Sequence, residues 1–153
     1  MEPIIIQPVN ARNWEEALEI SVCKEQRNFV PSVMESLAYA YIKPWDEALD
    51  PYILSIDDQI IGFFYLSYTP GSSDNYWIGG FQIDRRHQRK GYGKQAMDEI
   101  ITFIKEVHPM CSLISLTVEQ ENSVAQKLYE DLGFTSEQRL NQDGERIYNL
   151  RLT

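Results

Sequence analysis

Cysteine and histidine are nearly absent from this 153-residue chain, with two of each, and no long apolar run occurs. Cys23 and Cys111 stand far apart, outside any CxxC or Cys/His spacing. A disulfide framework and a structural zinc site are therefore excluded, and a reducing cytoplasmic setting is expected. His87 and His108 are too few for a His-rich metal site, so no metal is expected. Without a stretch of about 18 apolar residues there is no transmembrane helix to expect. The opening Met1–Gln7 segment lacks the basic region of a signal peptide. Positive charge is scarce too: 14 Lys and Arg against 23 Asp and Glu leave a net charge of −9. That excludes a general nucleic-acid binder, which needs a basic face. No repeat, low-complexity tract or Pro/Ser-rich linker divides the chain, so residues 1–153 are expected to form one domain.

What is present has the make-up of a folded domain, 43% apolar and 24% charged. The charges are uneven. Residues 1–62 carry 11 acids and four bases, whereas residues 85–94 carry Arg85, Arg86, Arg89, Lys90 and Lys94 and no acid. A local cationic spot in an acidic protein suits an anionic ligand there and cations elsewhere.

Hydrophobic periodicity and turn signals predict β-α-α-β-β-β-α-β-α-β-β. A strand covers 3–9. A helix capped by Asn13 runs to about 20, and a second follows Pro31-Ser32 to about Tyr41, ended by Lys43-Pro44. Strands at 52–56 and 60–68 flank a three-residue connection, and a third, 76–83, carries Gly79-Gly80, the mark of a bulge or a close approach. After the basic stretch, Ala96, Met97, Ile100, Ile101, Ile104 and Val107 recur at helical spacing. Strand 113–118 precedes a helix capped by Asn122 and closed by Gly133. Strands 134–140 and 145–152 flank a turn of the Asp-Gly type. One βαβ unit among hairpins implies an α/β fold on a mixed sheet. Trp14, Trp45 and Trp77 read as core or packing residues.

Chemistry concentrates where a strand meets Gln88-x-x-Gly91-x-Gly93 and then an amphipathic helix. Glycines leave the amides uncovered, and the first helical turn supplies free N–H groups at the positive end of its dipole. A diphosphate suits such a turn. The Walker pattern fails, since Gln88 stands where its first glycine belongs and Gln95 where Ser/Thr belongs. The Rossmann pattern fails for want of a following βαβαβ array.

Gln88-Arg89-Lys90-Gly91-Tyr92-Gly93 resembles the acetyl-CoA pyrophosphate loop of the GNAT family of N-acetyltransferases, Gln/Arg-x-x-Gly-x-Gly/Ala. Asn122 to Phe134 is similar to that family's N-x-x-A-x-x-L-Y-x-x-x-G-F segment, in the right order. The resemblance implies the GNAT fold: a central twisted mixed sheet of about seven strands with about four helices. Within the family, Gln26-x-x-Phe29-Val30, Ser36-Leu37-Ala38, Gly62-Phe63 and Asn141-x-Asp143-Gly144-Glu145 look like the bacterial spermine/spermidine (diamine) acetyltransferases.

The resemblance implies transfer of an acetyl group from acetyl-CoA to a primary amine, by direct attack through a tetrahedral intermediate. The acceptor it suggests is a polyamine such as spermidine or spermine. Another amine (aminoglycoside, protein N-terminus or lysine) and a non-catalytic acyl-CoA-binding module are the alternatives. The strand segment Phe81-Gln82-Ile83 would align the pantetheine arm, Phe81 and Ile83 through their amides. Gln88 and the amides of Arg89, Lys90, Gly91, Tyr92, Gly93 and Lys94 would hold the pyrophosphate, and Asn122 would touch the arm. Tyr129 would be the general acid. Relatives often carry a carboxylate on the strand before the loop, where this chain has Gly79-Gly80. Glu119, a water chain, or selection of the rare neutral amine are the alternatives for deprotonation. Glu35, with Glu25 and Tyr39, would bind the substrate cation. Homodimerisation comes only by analogy with relatives.

Overall fold

The computed structural model describes residues 2–152. Its elements are β1 (Ile5–Pro8), α1 (Trp14–Ala17), α2 (Val33–Ile42), β2 (Ala48–Ile56), β3 (Gln59–Tyr68), β4 (Tyr76–Ile83), α3 (Tyr92–Val107), β5 (Leu113–Val118), α4 (Ser123–Asp131), β6 (Thr135–Leu140) and β7 (Arg146–Arg151). The seven strands form one sheet in the order β1-β2-β3-β4-β5-β7-β6. Every neighbouring pair is antiparallel except β4 and β5, which α3 joins as a parallel crossover. The fold is the mixed α/β architecture expected.

The sheet carries a core on each face. Ala96, Met97, Ile100 and Ile104 of α3 pack with Phe64, Leu66, Ile114 and Tyr148. On the other face, Ala17, Ile20 and Val33 pack with Leu49, Ile53, Phe63 and Tyr65. This explains β3, where Ile61 to Ser67 are all buried: a central strand covered on both sides needs a continuous apolar run.

Local chemistry sets several boundaries apart from the expected ones. Helix α1 is a single turn, because Asn13 does not cap it; Asn13 Oδ1 accepts instead from Asn10 N at 2.8 Å. The β2–β3 connection has two residues, not three. Ile56 pairs with Gln59, and Asp57 and Asp58 both take positive φ, as a type I′ turn requires. Helix α3 already begins at Tyr92, and Val107 at its end is exposed. The last hairpin is longer than an Asp-Gly turn. Leu140 pairs with Arg146, and Asn141 Oδ1 accepts from Asp143 N at 3.0 Å and Glu145 N at 2.8 Å.

Ile100 is fully buried under the sheet. Ile100→Ala should therefore cost about 2–5 kcal/mol, read as a lowered urea midpoint with little change in slope.

Candidate active site

Strands β4 and β5 are laced together only near their starts. Ser112 N and Oγ both bond Ser73 O, at 2.6 and 2.9 Å, and Trp77 pairs with Ser115. Beyond that point the strands part. The parting coincides with a bulge: Tyr65 pairs with Gly79 and Phe63 with Gln82, leaving Gly80 and Phe81 together opposite Phe64. Gly80 adopts φ +61° there. A bulge bends its strand and re-aims the side chains beyond it. The resulting cleft encloses about 1460 Å³, lined by Ile78–Ile83 on one side and Leu116–Glu119 on the other. Asp84 N donates to Ile61 O on β3 at 2.7 Å. Strand alternation then turns the Ile83 and Phe81 amides toward the gap.

The glycine turn closes one end of the cleft. Arg89 and Gly91 both have positive φ, and Gly91 stands at the N-cap of α3. The first helical bond is Gln95 N to Gly91 O, so the amides of Tyr92, Gly93 and Lys94 have no partner within the helix. A Cβ on Gly93 would meet nothing nearer than Leu128 Cδ2 at 3.9 Å. Free donors over an open cradle fit a CoA diphosphate. Gln88 fastens the turn rather than facing outward: its Nε2 donates to Ile83 O at 2.9 Å and to Gln26 Oε1 at 2.8 Å. Arg89 lines the cleft, whereas Lys90 and Lys94 are exposed and do not. Gln82 ties inward through its side chain, to Pro31 O at 3.0 Å and Gly80 O at 3.1 Å, and its backbone pairs with Phe63 on β3.

Helix α4 is fixed at both ends. Asn122 Oδ1 accepts from Ala125 N at 3.2 Å, and its Nδ2 has no partner among the described residues. At the other end Gly133 takes φ +98°, Gly133 N bonds Glu130 O at 3.1 Å and Phe134 N bonds Tyr129 O at 3.0 Å. This is a Schellman closure, and its usual apolar contact is the Tyr129–Phe134 ring pair at 5.7 Å. The motif spacing from Asn122 to Phe134 thus sets where Tyr129 sits. Its ring is buried and borders the cleft, and burial pushes its phenol well above the ordinary tyrosine value. It is a neutral hydrogen-bond donor at every working pH.

The opposite end of the cleft is acidic and aromatic. Glu35 and Tyr39 line it, with Trp45, Asp46 and Tyr65, whereas Glu25 lines the cleft next to Gln26, which accepts from Gln88 of the turn. Glu35 is also a capping residue, its Oε1 accepting from Ser32 N at 3.2 Å while Ser32 Oγ accepts from Glu35 N at 3.1 Å. Trp45 stacks on Tyr65 at 6.4 Å and meets Tyr39 edge-on at 4.9 Å. Across from them the β6–β7 loop brings Asp143 and Glu145 to the cleft beside Glu119. The pKa of Glu119 is raised, first by burial, then by its hydrogen bond with Glu145, with the charges of Glu145, Glu121 and Asp143 adding to it.

The Acetyltransferase (GNAT) family model matches residues 14–134. This chain belongs to the GNAT family. This acetyltransferase is similar to the spermine/spermidine N(1)-acetyltransferase of Bacillus subtilis (strain 168), at 28% identity over 94% of this chain and 95% of that protein. Its fold is similar to a domain from Methanocaldococcus jannaschii, with TM-score 0.75 and 16% identity over 99% of this chain and all of that one. It is similar too to a GNAT acetyltransferase from Elizabethkingia anophelis solved with acetyl-CoA bound, with TM-score 0.67 and 17% identity over 99% and 100% of the two chains.

Within the acetyltransferase, one cleft thus gathers the glycine turn, Phe81, Ile83, Asn122, Tyr129, Glu119, Glu25, Glu35 and Tyr39. Trp14 and Trp45 are exposed rather than core residues, though Trp45 does pack, on Tyr39 and Tyr65, as a wall of the cleft. Sequence reasoning missed Tyr65, which looks like any other strand aromatic, and Asp46. It saw Glu145 only as part of a hairpin ending. The Ser32-x-x-Glu35 spacing is a capping-box signal that went unread, and in the structure it fixes Glu35 at the start of α2.

Glu119 holds its proton more tightly in the folded than in the unfolded chain. The folded state holds a proton that the unfolded chain releases near 4.5, so this pair's contribution to stability declines as pH rises from 4.5 through the raised value. Glu145→Gln returns Glu119 toward its ordinary value. Urea midpoints at pH 4.5 and near neutrality should differ less in this variant than in the wild type; equal differences would contradict a shared proton.

Proposed function

We propose that this acetyltransferase acetylates a primary amine and that the acceptor is a polyamine such as spermidine or spermine. The observation that carries this reading is the charge of the cleft walls. Glu25, Glu35 and Asp46 line one side and Glu119, Glu121, Asp143 and Glu145 the other, against two arginines, Arg27 and Arg89. Two carboxylate walls suit a cation with charges spread along its length better than one with a single charge. Tyr39 and Trp45 add aromatic faces that attract an ammonium group. The activity for which the Bacillus subtilis relative is named points the same way.

When bound, acetyl-CoA supplies an acetyl thioester ready for direct attack by the amine. The amides of Arg89 to Lys94 hold the diphosphate, and those of Phe81 and Ile83 orient the arm and polarise the acetyl carbonyl. Asn122 offers its Nδ2 to the arm. An alkylammonium of pKa about 10.4 is roughly one part in 2,500 neutral at pH 7, a deficit of about 4.6 kcal/mol. Glu119 accepts that proton, and its raised proton affinity narrows the gap to the ammonium, by about 1.4 kcal/mol for each unit of rise. Tyr129 donates to the departing sulfur. Because its own phenol is hard to ionise, it works chiefly as a hydrogen-bond donor to the developing thiolate.

Release of CoA thiol from acetyl-CoA across a panel of polyamines, aminoglycosides and lysine peptides tests the acceptor. Spermidine or spermine should give the highest kcat/KM; selective turnover of another class would overturn the polyamine reading. Tyr129→Phe should lower kcat on the order of 10²-fold with acetyl-CoA affinity unchanged. Loss of acetyl-CoA binding instead would contradict the role of Tyr129.

A further inference from the structure

The missing strand carboxylate leaves a space, and the structure fills it with a phenol. An ideal Cβ on Gly79 would lie 2.2 Å from Tyr65 Cζ and 2.5 Å from its hydroxyl oxygen. A Cβ on Gly80 would meet the same ring at 3.1 Å. The Tyr65 ring thus lies over the two glycines and fills the space a residue-79 side chain would need. Only 8% of Tyr65 is exposed, but its hydroxyl oxygen keeps solvent access where the ring borders the cleft and makes no hydrogen bond among the described residues. A phenol that opens on the cleft without an internal partner is free to bond a ligand there. The ring is held by Trp45 and Tyr39, stacked on the first and edge-on to the second. Burial, then the neighbouring Tyr39 and Glu145, push its pKa up to about 12, so it stays protonated.

We infer that the Tyr65 hydroxyl contacts the acceptor nitrogen and holds it between Gly79 and the Glu119–Glu145 carboxyl pair. This rests on the amine-acetyltransferase reading and adds a residue that the glycine pair itself requires. The phenol oxygen accepts one ammonium N–H as a hydrogen bond and orients the nitrogen. A second N–H bond breaks, its proton passing to the carboxyl pair and its electron pair remaining on nitrogen. Tyr65 is neither acid nor base in this step; it sets where the lone pair points. The Gly79–Gly80 pair then has a reason in the reaction: any larger residue at 79 would displace the ring that does this.

Tyr65→Phe removes only the hydroxyl and keeps the ring that packs on Trp45 and Tyr39. It should unfold at the wild-type temperature, bind acetyl-CoA normally, and lose roughly 10- to 100-fold in kcat/KM for the amine. A second readout is the Cζ resonance of ¹³C-tyrosine-labelled protein, assigned by its absence in Tyr65→Phe. Adding spermidine to the CoA-saturated wild type should shift it. Wild-type amine kinetics in Tyr65→Phe, or an unmoved resonance while spermidine is turned over, would overturn the role of Tyr65 and leave the polyamine reading standing. If only another amine is turned over, the polyamine reading fails, and that amine must move the Tyr65 signal or the inference fails with it.

Discussion

The architecture turns on the incomplete pairing of two parallel strands. Ser73 with Ser112 and Trp77 with Ser115 hold β4 and β5 at one end, and the bulge at Gly80 carries β4 away at the other. A sheet that parts in its middle exposes strand amides that would otherwise be satisfied, and buried polar groups without partners are costly. The gap therefore calls for an extended ligand rich in acceptors, and a pantetheine arm with its amides and thioester is one. The α3 N-terminus lies at the mouth of the same gap, so the unpaired first-turn donors and the unpaired strand edge face one space.

The two faces of the sheet contribute different chemistry to that gap. Tyr129 belongs to the core beneath α3 and α4, and Tyr65 to the core beneath α1 and α2. Each is fixed by packing, Tyr129 through the Schellman closure of α4 and Tyr65 through its aromatic neighbours. Burial raises both phenols. A raised phenol gives up ionisation and gains constancy as a neutral hydrogen-bonding group. In the proposed reaction, proton uptake falls instead to Glu119, whose pKa is raised first by burial and then by the neighbouring Glu145. Desolvation thus sorts donors from acceptors within a single cleft.

Much of this was legible in the sequence, for identifiable reasons. Helix α3 declared itself because five buried residues recur at its helical period, and α4 because Asn122 and Gly133 are strong end signals. The glycine turn was legible because only small residues leave amides uncovered. What escaped depends on tertiary approach. Gly79-Gly80 signalled a bulge or a close approach, and both are present, but the partner was hidden because Tyr65 is distant in sequence and sits in a run where every residue is apolar or aromatic. The β6–β7 loop gave Glu145 no periodic or motif-based reason to face Glu119; reciprocal hydrogen bonds with Asn141, one donated by each residue, and the register of β7 put it there. Helix α1 was overestimated because Asn13 serves a local turn with Asn10 in place of a cap.

Amide hydrogen exchange with and without CoA tests the parted-strand account most directly. The account predicts slowed exchange at Phe81 and Ile83 on β4 and at Tyr92, Gly93 and Lys94 on α3, with β2, β6 and β7 unchanged. Protection confined to other elements, with these five amides unaffected under saturating CoA, would contradict it.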